Sequence, residues 1–226
     1  LVINSETKNF ISKKFFTNKI RKNYRSRAFT FLINHRYKDN DTAIQVFTKF
    51  GPIAFLPLSN TKTSIVFSYK GREIDDEKIF DIFKKYNSFY SLTKISKIEK
   101  FNLSFEMLRN YTHENILAFG DLIHRIHPLA GQGFNMTIRD IKIISKIVNH
   151  KILLGLPIDI SVAEDFQRST KHLNFLYGKA IDAIYEFFRL DSNINNSISK
   201  PVFRILNKNS LFKKYSTILS DKGLNL

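Results

Sequence analysis

The spacing of apolar residues changes several times along this chain. Residues 28–33, 42–48, 53–58 and 63–69 are short runs rich in β-branched and aromatic side chains. Gly51-Pro52, Pro57 and Asn60 break them up, which predicts four strands in an antiparallel meander. Residues 75–86 shift to helical spacing, with Ile79, Ile82 and Phe83 behind a capping Asp75. Residues 96–106 alternate through Ile98, Leu103 and Phe105, a further strand of the same sheet. The run from Ile116 to Phe119, closed by Gly120, reads as a buried strand. After a turn with Pro128, Gly131 and Gly133, Asn135 is the expected N-cap of a helix. Its stripe is Ile138, Ile141, Ile144, Val148 and Ile152, with Gly155 and Pro157 as stop signals. Ser161 and Glu164 predict a capping box for the next helix. That helix is expected to bury Phe166, Leu173, Leu176, Ala180, Ile184 and Phe187. Ser199-Pro201 and Ser210 predict two more helices. Residues 1–3 read as the end of a buried strand, 13–27 as a basic surface turn or short helix, and 107–114 as a linker.

Candidate chemistry concentrates in residues 115–140. Asp121 follows the predicted strand at its carboxyl end, where open α/β sheets place their ligands. Gly120 and Gly133 lack a Cβ and let backbone approach a flat ring or a sugar chain. A helix starting near Asn135 turns free N–H groups and about half a positive charge toward whatever lies before it. A flavin fits this layout. Its ribityl hydroxyls would donate to Asp121, and the anionic pyrimidine edge of its reduced ring would face the helix start.

The residues Gly120-Asp121-x-x-His124, Pro128-x-x-Gly131-Gln132-Gly133-Phe134-Asn135 and Asp140 resemble the second FAD-binding motif of aromatic-ring flavoprotein hydroxylases. The Gly-Gln-Gly-Phe-Asn form is most similar to the ubiquinone-biosynthesis hydroxylases of the 2-polyprenyl-6-methoxyphenol type. The resemblance implies that Gly120, Asp121, Pro128, Gly131, Gln132, Gly133, Phe134 and Asn135 contact FAD. In it Asp121 binds the ribityl chain, Pro128 lies beside the ring, and residues 133–135 hold the pyrimidine edge. Leu122 and Ile123 stand where the family has small residues, and Thr137 where it has Gly. Bulk at 122 and 123 would crowd the cofactor if it faced the ring. Residues 51–58 again look like these hydroxylases, whose sheet there walls the substrate pocket; Phe47, Phe55 and Leu56 are the candidates for that wall.

The fold class implied is α+β and p-hydroxybenzoate-hydroxylase-like. Residues 1–27 would end an FAD-binding domain, 28–106 form a substrate-binding β-sheet domain, 107–155 a second FAD-binding segment, and 156–226 a helical tail. The implied activity is a membrane-associated, FAD-dependent monooxygenase that hydroxylates a polyprenylated aromatic ring. Its reductant would be NAD(P)H or another electron donor, and its co-substrate molecular oxygen. The implied partners are the apolar prenylated phenol and other ubiquinone-biosynthesis proteins. The expected location is cytoplasmic, with peripheral contact on the inner face of the membrane. No catalytic acid or base is assigned. A hydroxylase or epoxidase of another apolar substrate, and a non-catalytic remnant or binding module, are the alternatives. No Gly-x-Gly-x-x-Gly occurs, so the nucleotide-binding half of such a site is absent from these residues.

Composition narrows the remaining classes. The chain has 226 residues, no cysteine and a formal charge of +16, so disulfides and thiolate metal sites are excluded. The lysines are scattered rather than clustered, and Lys, Asn, Ile and Phe are abundant together while Trp is missing. That pattern favours an AT-rich coding bias and an anionic membrane surface over nucleic acid. His124 and His127 are three apart, but no third ligand lies nearby in sequence, so no metal is expected. No Gly-x-Ser-x-Gly elbow is present for a serine hydrolase.

Overall fold

The computed structural model describes residues 1–71, 73–128 and 131–193. In chain order the strands are β1 (Val2–Asn4), β2 (Lys19–His35), β3 (Ile44–Thr48), β4 (Gly51–Ser59), β5 (Lys62–Lys70), β6 (Leu92–Ile95), β7 (Glu99–Leu108), β8 (Thr112–His113), β9 (Ile116–Ala118) and β10 (His124–Arg125). The helices are α1 (Phe10–Phe15), α2 (Asp76–Tyr86), α3 (Gln132–Leu153) and α4 (Ile160–Asn193). The helices expected at Ser199-Pro201 and Ser210 lie outside the described residues. Among the described residues, no helix is long and apolar enough to cross a membrane. Two compact units divide the chain: among the described residues one holds Leu1–Lys22 and Ser104–Phe187, the other Asn23–Leu103 and residues 188–193.

In the second unit β2, β5, β4 and β3 lie side by side in that order, all antiparallel, with β7 neighbouring β2 on the side away from β5 and β6 pairing only with the end of β2. The expected meander holds for β3, β4 and β5, and the correction concerns β2 alone. The strand next to β2 in space is β5, with Phe29 opposite Phe67 and Phe31 opposite Ile65. Alternate positions form one apolar face: Phe29, Phe31, Ile33, Ile53, Phe55, Ile65 and Phe67 are all buried. Ile79 and Phe83 of α2 close that face, with Phe83 edge-on to Phe31 at 5.1 Å between centroids. Phe55 therefore belongs to the core. Leu56, one residue on, points the other way and is exposed, while Phe47 stacks on Phe188 at 3.8 Å. Of the three wall candidates, Phe55 is ruled out by this packing.

The stretch expected as a basic surface turn or short helix does begin within a short helix, but most of it is strand. That helix is α1, with Asn9 accepting the Ser12 N–H as cap, and the start of β2 follows. Period two is present there, since Tyr24 and Ser26 are buried while Arg21, Asn23 and Arg25 are exposed.

In the first unit β1 runs parallel to β9, Ile3 opposite Leu117, and β8 adds antiparallel to β9. β10 pairs antiparallel with the end of β7, His124 opposite Met107. Leu117, Ala118, Phe119, Ile144, Val162 and Phe166 are members of one core cluster. α4 crosses close to β7 at Gly178, where a Cβ would stand 2.6 Å from the Met107 side chain and force it to move.

The buried face of α4 is not the expected apolar stripe. Leu176, Ala180, Ile184 and Phe187 are exposed. Phe166 is buried as expected, but Thr170, Asn174, Tyr177, Ile181, Asp182 and Tyr185 continue the inward face, because the polar members find partners there. Thr170 donates to its own helix at Phe166 O, and Asp182 meets Lys22 Nζ at 3.0 Å. Nor does a Ser161–Glu164 box start the helix. Asp159 precedes it and accepts the Ser161 N–H at 3.0 Å, so Ser161 already lies inside. The Ser161 hydroxyl donates to the same carboxylate, and this bond together with the N–H bond holds the Asp159 carboxyl below its usual range.

Candidate functional site

The predicted strand ends as expected. After β9 the chain passes Phe119 and enters one turn of 3₁₀ helix, Gly120–Leu122, with Gly120 at φ +57°. The turn separates its side chains by direction. Leu122 and Ile123 are fully buried in the cluster with Leu117 and Phe166, while Asp121 is exposed. The bulk at 122 and 123 therefore fills core space and leaves the carboxylate open. Asp121 carries no hydrogen bond or ion pair among the described residues.

Helix α3 begins four residues earlier than Asn135 suggested. Its N-cap is Gly131 at φ +67°, a left-handed conformation that suits glycine, and no side chain caps the helix. The backbone N–H groups of residues 131–134 consequently start the helix without intrahelical acceptors. A Cβ at Gly131 would meet nothing within 4 Å, and one at Gly133 would meet only Ile126 at 3.7 Å. Space beside these backbones is open. Phe134 is 73% exposed and Asn135 is also exposed, both on the first turn. Pro128 is half-buried. Thr137, in place of the family Gly, donates its hydroxyl to Gly133 O at 3.3 Å, and its methyl lies 3.7 Å from where a Gly120 Cβ would be. It thereby packs α3 onto the 3₁₀ turn.

The other side of the same stretch is a closed polar frame. Asp140 and His124 are both fully buried, 2.9 Å apart through Oδ2 and Nε2. Asn174 donates to both Asp140 oxygens, at 3.3 and 3.1 Å, and in turn accepts from Arg139 at 2.6 Å. The Gln132 side chain points inward, where its carbonyl accepts from Tyr177 OH. The Gln132 carbonyl oxygen is thereby taken up within the fold. Burial pushes the Tyr177 phenol up, opposed by the Arg139 guanidinium 5.1 Å from its ring centroid. His127 stacks on Tyr185 at 4.0 Å, and burial lowers it to about 3 despite the nearby Asp182. Asn174, Tyr177 and Arg139 were missed from sequence. The signal for the first two was a polar residue every three or four positions along α4, at Thr170, Asn174 and Tyr177.

A family model described as FAD binding domain matches residues 31–151, more than half of the chain. The chain belongs to this FAD-binding family. It is 29% identical over 196 residues to "Ubiquinone biosynthesis monooxygenase COQ6, mitochondrial" of Dictyostelium discoideum, covering 70% of this chain and 39% of that protein. It is 28% identical over 156 residues to the 3-demethoxyubiquinol 3-hydroxylase of Escherichia coli K12, covering 66% and 40%. The chain thus spans about two fifths of the length of these curated relatives. The solved p-nitrophenol 4-monooxygenase PnpA of Pseudomonas putida superposes with a TM-score of 0.79 at 9% identity, covering 98% of this chain and 59% of that one. PqsL of Pseudomonas aeruginosa, a probable FAD-dependent monooxygenase, gives 0.60 at 16%, covering 87% and 59%. The FAD-binding chain therefore has the p-hydroxybenzoate-hydroxylase-like fold of FAD-dependent monooxygenases.

The residues present fit the cofactor of this family. A carboxylate exposed and unpaired among the described residues, a 22-residue helix without a side-chain cap and open space beside Gly131 and Gly133 are compatible with a flavin.

Proposed function

We propose that this chain is the carboxyl-terminal part of an FAD-dependent monooxygenase that hydroxylates a polyprenylated aromatic ring in ubiquinone biosynthesis. The observation that carries the reading is the open Asp121 carboxylate on the 3₁₀ turn that packs on the uncapped helix start. The ubiquinone-pathway relatives named above support the substrate class.

Each residue has a distinct task in this reading. Asp121 accepts hydrogen bonds from the ribityl hydroxyls, charge-assisted contacts worth about 1.5–3 kcal/mol. The N–H groups of Gly131, Gln132, Gly133 and Phe134 face the pyrimidine edge, where the helix dipole favours negative charge. Gly120 and Gly133 admit the cofactor sterically, Pro128 lies beside its ring, and Asn135 and the Phe134 ring border it from the first turn of α3. FAD held there and reduced by NAD(P)H or another donor would supply the oxygen activation that hydroxylation of the ring needs. The protein positions the ring and excludes water. Because the substrate carries a prenyl tail, the enzyme works at a membrane surface, to which a charge of +16 attracts it.

The test is expression with the native sequence that precedes Leu1, followed by incubation with a polyprenylated phenol, NAD(P)H and oxygen. A yellow protein and a product heavier by one oxygen are expected. A colourless protein that fails to bind added FAD would contradict the reading.

A further inference from the structure

At the carboxyl end of α3, residues 152–158 form seven consecutive exposed positions, and five of them are large aliphatics. Leu153 is 84% exposed and Ile152 60%, and Leu154, Leu156 and Ile158 are exposed as well. Gly155, at φ +65°, and Pro157 turn the run back toward α4, so the aliphatics share one tip. Isolated exposed leucines are ordinary, whereas a contiguous cluster marks a contact surface. Just behind the tip, the exposed face of α3 carries Lys142 and Lys146, at helical spacing from His150 and Leu153. Neither lysine is paired with an acid among the described residues.

We propose that this tip is a membrane-docking surface, with its aliphatics inserted at the headgroup boundary of an anionic bilayer and Lys142 and Lys146 on the lipid phosphates. Apolar side chains at the leading end with cations set back is the arrangement that interfacial binding rewards. The charge of +16 complements an anionic leaflet, and a contact of this kind needs no spanning helix. This deepens the membrane contact proposed above and rests on that reading for its biological purpose, but vesicle binding requires neither flavin nor substrate. The two can therefore fail separately.

The experiment is co-sedimentation of the chain with phosphatidylcholine vesicles with and without phosphatidylglycerol. Binding is expected on the anionic vesicles. Leu153→Glu with Leu156→Glu should weaken it by about tenfold or more, since binding scales with inserted apolar area. Lys142→Glu with Lys146→Glu should weaken it by roughly tenfold, and only where phosphatidylglycerol is present. All four positions are exposed, so each variant should melt with the parent protein. Absence of binding, equal binding to neutral vesicles, or leucine variants that bind unchanged would overturn the proposal. So would leucine variants that abolish self-association seen without vesicles, because the tip would then belong to a second copy.

Discussion

The stretch from Gly120 to Asp140 has two sides with opposite chemistry. On one side Asp121, Gly131, Phe134 and Asn135 are exposed, and the start of α3 is left without a cap. On the other, His124, Gln132 and Asp140 are buried and bonded to one another or to Asn174 and Tyr177 of α4. A motif read as one string thus contains a frame and an opening. Most polar atoms of the frame are engaged within it, although His124 Nδ1 has no hydrogen-bond partner among the described residues, so a ligand has little to offer them. The residues in the opening have groups that the fold leaves unpaired, and an unpaired carboxylate beside bare N–H groups is where binding energy is available.

This contrast predicts that frame variants lose stability and opening variants do not. The largest effect is expected at Asp140→Ala, which strands His124 and Asn174 in the interior. It should cost about 3–5 kcal/mol in urea unfolding. A cost below ~1 kcal/mol would dissolve the distinction between the two sides. Next comes His127, whose neutral form is the one the fold holds. The unfolded chain takes up a proton near the ordinary value of 6.5 and the folded chain only near 3, so stability falls as pH drops through that window. By pH 5 the loss is roughly 2 kcal/mol. His127→Phe keeps a ring against Tyr185 and should flatten this part of the pH–stability curve. The smallest effect is Tyr177→Phe, expected to cost ~1 kcal/mol by leaving the Gln132 carbonyl without its donor.

The opening was far more legible in sequence than the frame. Asp121 after a short apolar run is a local signal, and it does sit on the turn after β9; Gly131 precedes α3 as read, while Gly133 already lies inside it. Frame contacts join residues such as Asp140 and Asn174, 34 apart, and no local pattern announces such a pair. Apolar periodicity misled on α4 for the same reason. Thr170, Asn174 and Asp182 look like surface residues until their buried partners are known, so the stripe of Leu176, Ile184 and Phe187 was assigned inward by mistake. Helix starts failed more narrowly. Asn135 and Ser161 have the right chemistry for caps, but Gly131 in the left-handed region and Asp159 with its acceptor oxygen both act earlier in the chain. The strand order failed at β2 alone, because β5 returns beside it, a long-range pairing that turn residues do not encode.

The most direct measurement is made on Asp121→Ala in the protein carrying its native preceding sequence: FAD affinity by titration, and unfolding free energy on the same preparation. The account predicts at least about tenfold weaker FAD binding with stability within about 0.5 kcal/mol of the parent. Unchanged affinity, or a loss that merely tracks lower stability, would contradict it.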